Sequence, residues 1–77
     1  MNTRNNWEQL LSYANAELEP KGYKINLIHF EEDGTYNCEI LKDGVSIEVY
    51  AECYYENELA DLVTDAWHYV LTEKIGK

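Results

Sequence analysis

The chain has 77 residues, 45% hydrophobic, with 6 Lys and Arg against 15 Asp and Glu. A chain this short holds one small core, and a formal net charge of −9 argues against a phosphate backbone as direct partner. The opening MNTRNNWEQL lacks the apolar stretch of a secretory leader, and no run approaches the roughly 20 apolar residues of a membrane span. The expectation is therefore one cytoplasmic domain over residues 1–77.

Taken in order, Asn5-Asn6-Trp7-Glu8 reads as a helix start, with Asn5 as cap and Glu8 three residues later. Trp7, Leu10, Leu11, Ala14 and Leu18 recur at helical spacing and form one apolar stripe. Pro20 and Gly22 end it, which predicts a helix over about residues 6–19. Two Asp-Gly pairs then punctuate alternating apolar and polar residues, the pattern of two tight hairpins. Strands are predicted over about 23–32, 35–42 and 45–53.

Reading both Asp33-Gly34 and Asp43-Gly44 as two-residue loops sets the pairing. His29 then faces Cys38, Leu27 faces Ile40, Ile40 faces Ile47 and Cys38 faces Val49. A side-chain period of two sorts the residues. Ile25, Leu27, His29, Tyr36, Cys38, Ile40, Val45, Ile47, Val49, Ala51 and Cys53 share a core face. Ile28, Phe30, Glu39, Leu41, Glu48, Tyr50 and Glu52 lie on the other.

Asn57 is the expected cap of a second helix over about residues 57–75, with Glu58 and Asp61 in its first turn. Its buried stripe is Leu59, Leu62, Val63, Ala66 and Val70. Two amphipathic helices need one apolar surface. The predicted fold class is thus α+β: a two-layer α-β-β-β-α arrangement, a three-stranded antiparallel meander with both helices on one face. Leu10, Leu27, Ile40, Ile47, Val49, Leu62 and Val63 are expected to be buried together.

No residue set points to catalysis, and the chain is not expected to be an enzyme. Ser12 and Ser46 have no His or Asp partner at a recognisable spacing. His29 opposite Cys38 falls short of the ligand count zinc needs, so no metal and no cofactor are expected. Both cysteines are expected to be free thiols. Cys53 lies four residues beyond the partner of Cys38, roughly 13 Å at strand rise, too far for a disulfide.

The helix, three-strand, helix order resembles the double-stranded-RNA-binding domain fold over nearly the whole chain, in topology. That family grips phosphates with a basic cluster where its second helix begins. The matching stretch here is Tyr54, Tyr55, Glu56, Asn57 and Glu58. Its charge is reversed, so that activity is not carried over. In size, acidity, Tyr content and architecture the chain is similar to phage-encoded inhibitors of the anti-CRISPR type, several of which place carboxylates where nucleic-acid phosphates would sit. Acidic immunity proteins against basic nuclease toxins share these features.

The resemblance implies an acidic inhibitor or nucleic-acid-mimicking decoy for a basic nucleic-acid-binding protein, such as a CRISPR effector, with no direct nucleic-acid or membrane contact. Glu31, Glu32, Asp33, Glu39, Glu48, Glu52, Glu56, Glu58 and Asp61 would supply charge, and Phe30, Tyr50, Tyr54 and Tyr55 aromatic anchors. The alternative is a structural or self-associating module, a homodimer through the open sheet face.

Overall fold

The computed structural model describes residues 6–76, excepting the side chains of residues 6 and 51–53. Helix α1 (Asn6–Leu18) is followed by strands β1 (Tyr23–Phe30), β2 (Thr35–Lys42) and β3 (Val45–Tyr54), and helix α2 (Leu59–Tyr69) runs on into a π-helical turn over Val70–Ile75. The sheet is antiparallel in the order β1-β2-β3. The fold is α+β, as the pattern predicts. No helix among the described residues is long and apolar enough to cross a membrane.

Both helices cover one face of the sheet. Ala14 and Leu18 of α1 and Leu59, Leu62, Val63 and Ala66 of α2, with Val70, close over Ile25, Cys38 and Ile40. Trp7, Leu10, Leu11 and Leu27 pack half-buried against this cluster. The apolar stripes of both helices are therefore those that their spacing indicates. A polar bond joins the helices at the surface: the Trp67 Nε1–H donates to Glu17 Oε1 at 3.0 Å.

Helix α1 ends through a 3-10 turn over Glu19–Lys21, and Gly22 follows at φ 85°. That left-handed conformation suits glycine. A second reason is space: a Cβ on Gly22 would stand 2.9 Å from Oδ1 of Asp43. The Gly22 carbonyl accepts the Asp43 N–H at 2.8 Å, so the start of β1 touches the tip of the β2–β3 hairpin. Alongside, Asn15 grips the outer edge of β1. Its Nδ2 donates to the Ile25 carbonyl at 3.0 Å, and its Oδ1 accepts the Ile25 N–H at 2.8 Å. One carboxamide thus supplies the donor and the acceptor that a further strand would have offered at that residue.

The two Asp-Gly turns differ. At Asp43-Gly44 both residues have positive φ, 53° and 83°, as a two-residue hairpin requires. Lys42 pairs with Val45, as expected. At Asp33-Gly34 only Gly34 is left-handed, at 70°. The loop there is four residues long, Phe30 pairs with Thr35, and Gly34 N–H donates to the Phe30 carbonyl at 2.9 Å. Asp33 Oδ1 is occupied by the Thr35 hydroxyl at 2.8 Å, a local bond that favours the longer turn. Leu27 therefore faces Cys38 and His29 faces Tyr36, a correction of two residues to the expected pairing. An even shift leaves every side chain of β1 and β2 on its predicted face. His29 stacks on Tyr36 with ring centroids 4.4 Å apart, rather than meeting Cys38.

The β2–β3 pairing departs further. Leu41 pairs with Ser46 but Ile40 pairs with Glu48, so Ile47 is an extra residue, a β-bulge. The odd shift exchanges the two faces of β3 beyond that point. Val49 now pairs with Glu39 and Tyr50 with Cys38. The expectation that Ile47 and Val49 join the core is overturned: they are 47% and 42% exposed, and Val45 is 63% exposed. Tyr50 takes the inner position and lies against Tyr69, centroids 5.4 Å apart. A second irregularity lies between the Cys38–Tyr50 and Tyr36–Tyr54 pairs. The expected cap Asn5 and the side chain of Cys53 lie outside the described residues, while Cys38 is a free buried thiol.

These assignments separate two isoleucines that look alike in sequence. Ile40→Ala should cost about 2–5 kcal/mol in denaturant unfolding, whereas Ile47→Ala should stay below about 1 kcal/mol. Equal losses at both sites would show that the bulge is misplaced.

Candidate protein-binding surface

The pairing places the expected binding residues in three groups. At one end of the sheet, Phe30 leads into the loop Glu31-Glu32-Asp33, and all four are exposed. Tyr36, next to that loop, pairs with Tyr54. The chain therefore leaves β3 at the same end, through Tyr55, Glu56 and Glu58. Tyr55 and Glu56 are exposed and Glu58 is half-buried. Two acidic segments more than twenty residues apart in sequence share one end of the sheet. Asp61 follows, exposed in the first turn of α2.

The expected cap Asn57 lies inside a 3-10 turn, Glu56–Glu58, and does not cap α2. Instead the Tyr55 N–H donates to Glu58 Oε1 at 2.9 Å, and the Glu58 N–H donates to the Tyr55 carbonyl at 2.8 Å. Glu58 thereby spends its carboxylate on a helix start, where a negative group also suits the helix dipole.

The second group is the face turned away from the helices. Ile28 and Leu41 are half-buried there, Phe30 is 43% exposed, and Val49 stands beside Glu39. Val49 takes the place in this patch expected for Tyr50. The sequence pattern does not predict an exposed Val49, because a bulge residue such as Ile47 carries no signature in the alternation around it. Glu52 lies outside the described side chains.

The third group lies on the opposite side of the sheet from the one expected. Glu48 and Tyr50 lie on the helix side of β3 and take no part in the open face. The Glu48 carboxylate accepts the Tyr69 hydroxyl and pairs with Lys74. Lys74, and after it Tyr69, hold the Glu48 carboxyl below the ordinary carboxylate range. The bond to Glu48 in turn raises the Tyr69 hydroxyl and the Lys74 ammonium above their usual values. Tyr54 is half-buried, and its hydroxyl donates to Asp65 Oδ2 at 2.6 Å. Burial, then Asp65, push its ionisation far above the tyrosine range. Burial likewise pushes the Cys38 thiol up to about 12, so it is not a thiolate at neutral pH.

Two lysines, Lys42 and Lys74, are committed to structure. Lys42 Nζ donates to the Lys21 carbonyl at 3.2 Å and stands 4.4 Å from the centre of the Tyr23 ring. Lys74 is held by Glu48 beside the Tyr69 ring. Neither neutralises the acidic end of the sheet. Comparison with protein-family models, with curated proteins and with solved structures finds no match.

The Glu48 cluster sets a pH dependence with a definite sign. A carboxyl lowered on folding stabilises the protein above its unfolded value and loses that contribution as pH falls through the folded one. Tyr69 and Lys74, both raised, contribute at neutral pH and lose their contribution in alkali as pH rises through their folded values. In urea melts across pH, Glu48→Gln should flatten the acid limb below about pH 4.5 and the alkaline limb together. Unchanged limbs would show that the cluster does not form in solution.

Proposed function

We propose that this chain is an acidic protein-binding inhibitor, a decoy that occupies the nucleic-acid site of a basic nucleic-acid-binding protein, with CRISPR effectors among the candidates. One observation carries the reading: the pairing gathers Glu31, Glu32, Asp33 and Glu56 at one end of the sheet, next to exposed Phe30 and Tyr55. Carboxylates gathered at one end of a folded surface repel one another. A cationic partner removes that repulsion on binding. The aromatic groups give the contact a desolvated centre that charge alone does not supply. Long-range attraction between an acidic and a basic surface raises the association rate and falls with salt.

The test is competition. An RNA-loaded Cas9-type effector and a set of basic DNA-binding proteins, each with labelled duplex, are titrated with this chain. Displacement of duplex from at least one should weaken about tenfold or more between about 50 and about 200 mM salt. The double variant Glu31→Lys, Glu32→Lys should weaken it while leaving the melting temperature close to wild type. The reading fails if no duplex is displaced at low salt, or if displacement is indifferent to salt.

A further inference from the structure

We infer that the outer edge of β3 takes up an extended segment of the basic partner as a fourth strand. This rests on the function proposed above and adds how the partner is held.

Which main-chain groups point outward follows from the pairing. The Asp43 N–H bond to Gly22 and the Asn15 bonds to Ile25 fix the alternation along β1. The main-chain groups of Ile25 point away from β2, so those of its partner Ile40 point toward β3. Ile40 pairs with Glu48, which turns the Glu48 main chain into the sheet and the Val49 main chain out of it. Among the described residues no strand lies beyond β3. An edge strand with an outward N–H and C=O is a template for another chain.

Edges are commonly blunted by lysine, proline or a bulge. Strand β3, VSIEVYAECY, has neither Lys nor Pro. Its bulge at Ile47 separates Val49 from the hairpin end, and the second irregularity follows between Tyr50 and Tyr54, so the regularly paired part of this edge is centred on Val49. The opposite edge differs: β1 carries Lys24, and its Ile25 groups are already taken by Asn15.

Charge selects the occupant. From Val49 the edge leads to the acidic end, where Tyr55 and Glu56 are exposed and the Glu31–Asp33 loop lies nearby. Along the strand the exposed neighbours are apolar, Ile47 and Val49. An antiparallel incoming strand that begins with lysine or arginine and continues with β-branched residues matches both parts. A second copy of this chain would bring a further charge of −9 to the same place.

The probe is a synthetic peptide of three lysines followed by alternating valine and threonine, added to the whole chain and followed by amide hydrogen exchange. Exchange at Val49 should slow about tenfold or more, while Leu27 on the β1 edge stays unchanged. N-methylation of the peptide amides that face β3 should weaken binding about tenfold, because backbone bonds are removed at constant charge. Oligolysine of equal charge should bind without protecting Val49. The inference is overturned if the peptide does not bind, if it binds and Val49 exchange is unchanged, or if Leu27 is the residue protected. It is equally overturned if Val49 is already protected at high protein concentration and loses protection on dilution, which would identify a second copy as the occupant. Salt-sensitive binding without Val49 protection leaves the acidic-inhibitor reading standing; displacement of no duplex at low salt removes both.

Discussion

The grip of Tyr69 and Lys74 on Glu48, with Tyr50 beside the Tyr69 ring, decides how β3 lies. Those side chains meet α2 only if Glu48 and Tyr50 point inward. A strand alternates without exception, so one additional residue must be inserted before them. Ile47 is that residue, and the bulge follows from the polar and aromatic contacts beyond it. The same insertion turns Val49 outward and creates the apolar part of the surface proposed to bind. Packing at the C-terminal turn and exposure on the far face of the sheet are thus two results of one register change.

Much of the architecture is legible in the residues because it rests on local rules. The stripe Trp7, Leu10, Leu11, Ala14, Leu18 can only be an amphipathic helix, and Asp43-Gly44 suits a two-residue turn because both positions reach positive φ. Asp33-Gly34 looks identical in sequence, but Asp33 bonds to Thr35 and the loop lengthens. That choice depends on a side chain two residues away, which a dipeptide rule does not consider. Ile47 was unreadable for a different reason. Its neighbours alternate perfectly, and the contact that displaces them comes from Tyr69 and Lys74, more than twenty residues further along. On the surface, the acidic loop and the acidic start of α2 are plain in the sequence. Their placement at one end of the sheet is not, since it follows from the pairing of Tyr36 with Tyr54.

Electrostatics divides the molecule in two. On the helix side, three carboxylates are paired or hydrogen-bonded: Glu48 with Lys74 and Tyr69, Asp65 with Tyr54, Glu17 with Trp67. Each is partly exposed, so solvent weakens it, and its use is to fix orientation more than to add stability. At the end of the sheet, Glu31, Glu32 and Glu56 stand in solvent. Folding gathers them at a cost the core must offset.

The carboxamide of Asn15 closes a link of only ten residues to Ile25, whereas the bond from Trp67 to Glu17 spans fifty. Short closures lose less chain entropy and form sooner. During synthesis α1 and β1 can therefore clasp while the rest of the chain is still emerging, and each hairpin can add to them in turn. Throughout that interval Ile25, Cys38 and Ile40 lack the cover of Leu62, Val63 and Ala66. The nascent chain carries an uncovered apolar sheet until its last third arrives, so the docking of α2 is the step on which escape from aggregation turns.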